Sequence, residues 1–159
     1  MAKKLGNTAV RTLNDSQLAY GVSKCMDNAQ QYFEEAKLLE TNAYYRRACA
    51  LAILGIEEIG KIMLLGNTAA FKLEDTEEWN KFWEHFRNHE AKQANAIFYT
   101  LFFVHQNRGP EKMTEVINPK DLKETEYSVL EIQKLKNECL YVGFDYKEKD
   151  FKRKFIPKN

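Results

Sequence analysis

The sequence predicts an all-α protein, an antiparallel four-helix bundle. Three observations carry that expectation. Apolar residues recur at helical spacing along four long stretches, the pattern of amphipathic helices with one buried face. No segment reads as a convincing strand. Helix breakers are scarce, with 7 Gly and 3 Pro among 159 residues, and a chain of that length usually makes one domain with a core of its own.

The first helix is expected over about 16–40, with Asp15 or Ser16 as its cap. Its apolar stripe is Leu18, Val22, Cys25, Met26, Ala29, Phe33, Ala36 and Leu39. After a short turn at Glu40–Asn42, the second helix covers about 42–66 and stops at Gly66 and Asn67. The third, about 75–106, begins at Asp75 or Thr76, and Glu77 and Glu78 suit the positive end of its dipole. Its stripe runs Trp79, Phe82, Trp83, Phe86, then Ala94, Ile97, Phe98, Leu101 and Phe102. Asn107, Arg108, Gly109 and Pro110 break it. In the fourth, about 119–142, Asn118 can cap and Pro119 can take the first helical position. Its apolar positions include Leu122, Val129, Ile132, Leu135, Cys139 and Leu140, and Gly143 closes it. Residues 1–145 then form the bundle. Residues 146–159, with Lys147, Lys149, Lys152, Arg153, Lys154 and Lys158, make a basic tail that reads as a solvated terminus, with a nucleic-acid arm as the alternative.

Composition excludes several classes. The chain is 44% hydrophobic and 30% charged, which favours a folded domain over a disordered one. A net charge of +1 exerts no global pull on nucleic acid, so any such contact needs a local basic patch. Cys25, Cys49 and Cys139 are widely spaced and odd in number, which argues against a disulfide framework or a zinc site and for small buried hydrophobes in a reducing compartment. The start Met1-Ala-Lys-Lys is followed by no apolar segment. The longest apolar run, Ala48 to Ile56, is far short of the roughly 20 residues of a membrane span. A soluble cytoplasmic protein with no membrane partner is expected. The aromatic residues, 13% of the chain, include Tyr44, Tyr45, Tyr99, Phe102 and Phe103. They supply more apolar surface than one bundle needs and predict a homodimer along the second and third helices.

Two polar islands interrupt the apolar faces. In the second helix, Glu57, Glu58 and Lys61 stand inside an otherwise apolar run, where charge is costly unless paired or facing a cleft. At 100° per residue, Arg47, Leu54, Glu58 and Lys61 share a narrow sector. Glu57 and Lys61 are four apart in the favourable order for an ion pair. Gly60 lies between them. A helix-interior Gly costs about 1 kcal/mol relative to Ala, which makes sense where a backbone or a substrate comes close. In the third helix, His89 and Gln93 interrupt the inward stripe and Lys92 follows His89 by one turn. A neutral imidazole there can move protons, and a neighbouring lysine can stabilise a charged phosphate. A structural Glu–Lys pair and a core-edge histidine bonded to a carboxylate account for the same residues without chemistry. His85 and His89, four apart, are the weak half of many zinc motifs. With no Glu-x-x-His pair and no glycine-rich phosphate loop, neither a metal nor another cofactor is expected.

The residues from Arg47 to Lys61, then His89-Glu-Ala-Lys92, then Asn137-Glu-Cys-Leu-Tyr-Val142 resemble the AbiV family of abortive-infection proteins, part of the HEPN superfamily of helical bundles. The resemblance covers about 38–145. It implies a bacterial anti-phage protein that halts phage growth at the expense of the infected cell. It also implies a metal-independent ribonuclease or translation-blocking toxin, active as a homodimer with its site at the dimer interface and triggered by a phage-encoded activator. The usual superfamily signature sets an arginine four to six residues before a histidine. Here Arg87 precedes His89 by two, so Lys61, Lys92 or Arg47 would do the arginine's work. The implied site has His89, Lys92, Glu58 and Lys61 as catalytic residues and Arg47, Glu57, Arg87 and Gln93 as RNA-binding residues. The competing expectation is a catalytically silent HEPN-like scaffold that binds a phage or host protein.

Overall fold

The computed structural model describes residues 11–106, 119–145 and 149–153. Five helices and one hairpin follow in order: α1 (Asp15–Thr41), α2 (Tyr45–Phe71), α3 (Thr76–Arg87), α4 (His89–Gln106), α5 (Pro119–Leu140), β1 (Val142–Asp145) and β2 (Asp150–Arg153). The all-α class expected from periodicity holds, and the two short strands are an addition to it. The stretch 107–118, including the Asn118 cap and the Asn107–Pro110 break, lies outside the described residues. So do the side chains of Leu101, Phe102, Phe103 and Leu122.

Asn14, not Asp15 or Ser16, starts α1. Its side chain accepts from Gln17 N and the Gln17 side chain returns the favour to Asn14 N, a capping box. Asp75 and Glu78 do the same for α3. Helix α2 does not stop at Gly66 but runs on to Phe71, where Lys72 ends it with a positive φ of 45°. Packing overrides the glycine's propensity there. Leu64, Leu65 and Thr68 are buried beyond or beside it, and Leu65 lies against Gly21 of α1.

The single long helix expected over 75–106 is two. Asn88 is extended (φ −80°, ψ 124°) and ends α3, with its N–H bonded to the carbonyls of Glu84 and His85. The same residue's Oδ1 accepts from Ala91 N at 3.1 Å and so starts α4. This break sets the topology. Helix α1 runs antiparallel to α2, with Gly21 beside Leu65 and Gly55 beside the Phe33 ring. Helix α4 runs parallel to α2, with Glu57 bonded to His89 and Asn67 to Tyr99. Helix α5 returns, with Arg46 bonded to Glu138 and Glu57 to Lys136. An all-antiparallel arrangement of long helices therefore does not describe α2 and α4.

Helix α2 touches every other described helix. On its α1 and α3 side the core is apolar: Leu18, Cys25, Leu64, Leu65, Trp79 and Phe82. Full burial of each large side chain there contributes about 1.5–3 kcal/mol. Because α2 is packed on several sides, its well-exposed aromatics are confined to its ends, at Tyr44, Tyr45 and Phe71.

The chain after α5 is not uniformly tail. Helix α5 ends at Leu140, and Gly143 sits inside β1 rather than closing a helix. Strands β1 and β2 pair antiparallel with Val142 opposite Arg153 and Phe144 opposite Phe151. Lys149 takes a positive φ of 52° at the connection, a position where sequence reasoning looks for Gly or Asn. Among the described residues no helix is long and apolar enough to cross a membrane.

Candidate functional site

Glu57 is the centre of a buried polar hub. It is 3% exposed on α2, and groups from two other helices converge on its carboxylate. From α4, His89 Nδ1 lies 2.6 Å from Oε2, Gln93 Nε2 donates to Oε1 at 2.9 Å, and Lys92 Nζ lies 3.4 Å from Oε2. From α5, Lys136 Nζ donates to Oε1 at 2.8 Å. Gln93, with no exposed surface, also donates to Gln133 Oε1 at 3.1 Å, while its own Oε1 is buried without a partner. Burial by itself would raise the Glu57 carboxyl. The hydrogen bonds from Lys136, His89 and Gln93, with the charge of Lys136, outweigh it and hold the carboxyl below its ordinary value.

Gly60 makes this convergence possible. A Cβ on Gly60 would stand 1.9 Å from the Lys92 carbonyl oxygen and 2.8 Å from the Lys92 Cα. The close approach anticipated at this glycine is therefore the backbone of α4. With α2 and α4 parallel and nearly in touch, residues 57 and 60 meet residues 89, 92 and 93.

The chemistry of His89 follows from its bond. A carboxylate only accepts, so Nδ1 donates to Glu57 and Nε2 is left as the basic nitrogen. The side chain is 53% exposed. A fixed, half-exposed imidazole backed by a carboxylate is equipped to take and return a proton. The lysines differ in access: Lys92 and Lys136 are each 7% exposed at the side chain and are committed to Glu57.

Glu58 faces the other way. It accepts from Lys61 Nζ at 2.7 Å, within its own helix, so the pair expected between Glu57 and Lys61 is formed by Glu58 instead. Lys61 also lies over the Phe86 ring at 5.7 Å. Glu58 lines a cleft of about 430 Å³ with Lys24, Cys25, Asp27, Asn28 and Gln31. Burial, then the charge of Glu58, push the Cys25 thiol up to about 11.

Of the eight residues singled out in the sequence, the structure joins Glu57, His89, Lys92 and Gln93 directly. It sets Glu58 and Lys61 beside each other on another face of α2. Arg87 is exposed just before the Asn88 break, and Arg47 is exposed nearly three turns before Glu57. His85 and His89 fall on different helices, which removes the shared helical face of a zinc pair. Lys136 and Gln133 were missed. Their signal was present, because both follow Val129 at helical spacing on the inward stripe that continues to Cys139. A lysine in that register is a buried charge seeking a partner.

The molecule is thus an all-α protein with a buried carboxylate–histidine–lysine hub between two parallel helices and a third. It belongs to the HEPN_AbiV family: the model of that family, described as AbiV, matches residues 17–153, most of the chain. That membership places it among HEPN proteins associated with abortive infection. No curated protein and no solved structure matches it.

Proposed function

We propose that this protein is an abortive-infection effector that cleaves RNA without a metal, with His89 as its proton-transferring group. The observation that carries the reading is the 2.6 Å bond from His89 to the buried Glu57, on a ring that remains half-exposed. In the proposed step, the RNA 2′-oxygen bonds to the adjacent phosphorus and the bond to the 5′-oxygen breaks. His89 Nε2 takes the 2′-hydroxyl proton and delivers it to the departing 5′-oxygen. Glu57 is a positioning residue that holds the ring through Nδ1 and leaves Nε2 toward the substrate. Arg87, exposed two residues before His89, is a cation that a phosphate there can reach, whereas Lys92 and Lys136 act through Glu57 and Lys61 is paired with Glu58 on another face. A phage-encoded component triggers activity, and the working form is a homodimer. Light scattering at micromolar concentration tests the dimer, and a monomer removes it.

A second reading has its own support. Glu57 is saturated by groups from α4 and α5, so the hub also clasps the bundle. A silent scaffold that binds a phage or host protein needs nothing more from it. The two are separated with purified wild type and His89→Ala on total RNA in EDTA, with and without lysate from infected cells. Cleavage by wild type alone supports the enzyme. Cleavage by both removes His89 from the chemistry. No cleavage by either folded protein favours the scaffold, as does RNA binding that does not weaken with salt.

A further inference from the structure

One orientation at the hub is held against a cost. Gln93 has no exposed surface, and its Oε1 is buried without a hydrogen-bond partner. A bare buried acceptor is destabilising, so a stronger demand must fix the amide this way round. That demand comes from the nitrogen. Nε2 donates to Glu57 Oε1 at 2.9 Å and to Gln133 Oε1 at 3.1 Å, which engages both of its hydrogens. Turned over, the amide would set Oε1 against two acceptor oxygens. Turning the half-buried Gln133 amide as well does not rescue that state, because Glu57 Oε1 would still face an oxygen. Two acceptors, one on α2 and one on α5, therefore fix the amide plane of a residue on α4.

We propose that Gln133 is a positioning residue for His89, acting through two intervening side chains. Gln133 fixes the plane of the Gln93 amide, and that amide fixes Glu57 Oε1. The other carboxylate oxygen, Oε2, is then presented to His89 Nδ1 at 2.6 Å. Lys136 also bonds Oε1, at 2.8 Å. It does not set the carboxylate plane by itself, because an ammonium with three donors on a flexible stem follows a carboxylate as it swings. Lys92, 3.4 Å from Oε2, is a longer contact still. A planar amide with both N–H groups engaged does not follow. Once the carboxylate is fixed, Nδ1 keeps the proton and Nε2 stays bare.

Gln133 and Lys136 stand three residues apart on α5, so both reach the hub from one face of that helix. Arg46 of α2 holds the end of the same helix through the carbonyls of Glu138 and Tyr141. The orientation of His89 on α4 is thus set in part by how α5 is seated on α2. The role rests on His89 as the proton-transferring group, but its tautomer is measurable whether or not RNA is cleaved.

The test compares the full wild-type chain with Gln133→Met, which keeps the length and loses the amide oxygen, and Gln133→Glu, which keeps an acceptor there. Gln133→Ala is a second variant without the acceptor, and thermal melts establish which variants are folded. NMR of isotope-labelled histidine reads the ring nitrogens at a pH where the imidazole is neutral, and His89→Ala assigns the His89 signals among the 3 histidines. Wild type and Gln133→Glu should show a protonated Nδ1 and a bare Nε2. Gln133→Met and Gln133→Ala should show the averaged signals of two exchanging tautomers. Where wild type cleaves RNA, kcat in Gln133→Met should fall by up to about a hundredfold with KM unchanged, and Gln133→Glu should restore it. Three results overturn the proposal: averaged tautomers already in wild type, a wild-type tautomer in the folded variants without the acceptor, or a Gln133→Glu that behaves as they do. The expected tautomers with no cleavage by wild type would remove the ribonuclease reading and support the positioning role.

Discussion

Glu57 and Glu58 are neighbours in sequence and both are buried, at 3% and 7% exposure, yet they serve two different regions. The Glu57 face of α2 meets α4 and α5 through charge and hydrogen bonds. The Glu58 face meets α1 and α3, where the contacts are largely apolar and its own ion pair lies within one helix turn. A buried carboxylate that binds across helices specifies how they pack. One that binds along its own helix does not.

The sharpest way to break this contrast is at Gly60. Alanine there would drive a methyl into the Lys92 carbonyl, and the obstacle is backbone, which cannot swing aside. Gly60→Ala should cost about 3 kcal/mol or more, a large share of a domain's stability. Denaturant unfolding measures it. A loss under 1 kcal/mol, roughly the scale of a surface change, would mean that α2 and α4 are not in contact there.

Next in size is Glu57→Gln. It leaves Lys92 and Lys136 buried against a neutral amide, and stranding buried charge costs about 3–5 kcal/mol. The matched Glu58→Gln strands only Lys61, whose side chain is 21% exposed and can turn to water. About 1 kcal/mol is expected there. Equal losses in the two variants would erase the distinction between the faces.

The same contrast has a pH signature. The Glu57 carboxyl is held below its ordinary 4.5 in the folded state. Its contribution is therefore fully present above the unfolded value and is lost as pH falls below 4.5 and through the folded value. Thermal midpoints measured from pH 6 downward should fall in wild type and fall less steeply in Glu57→Gln. Parallel curves would show that Glu57 carries no such linkage.

The helical class was legible because periodicity reports burial: α1 buries Leu18, Cys25, Ala29 and Ala36 of its expected stripe, though Asn14 rather than Asp15 or Ser16 caps it, and α3 starts at its expected Asp75 cap. The Asn88 break was harder to read. Asn is a weak helix former as well as a cap, and the aromatic stripe before it and the apolar stripe after it join in register by chance. Missing that break hid the parallel pairing of α2 and α4, and with it which glutamate meets His89. Wheel geometry grouped Glu58 with Lys61 correctly but is silent on which neighbouring helix lies across from Glu57. The hairpin was missed for a different reason: Lys149 supplies the positive φ, and Asp145 faces Asp150 at its mouth, so neither turn chemistry nor charge pairing announces it.

The smallest effect tests the other end of the comparison. Gly66 lies on the same helix as Gly60, but a Cβ there meets nothing within 4 Å and the residue is exposed. The helix passes through it because buried neighbours hold the helix on both sides, so its glycine contributes only unfolded-state entropy. Gly66→Ala should raise stability by about 0.5–1 kcal/mol. Two identical substitutions six residues apart should then move the melting temperature in opposite directions. Their difference measures how much of α2 is set by its contact with α4 rather than by its own propensity. If Gly66→Ala destabilises instead, the helix does not continue to Phe71, and the stop read from Gly66 and Asn67 is the better description of where α2 ends.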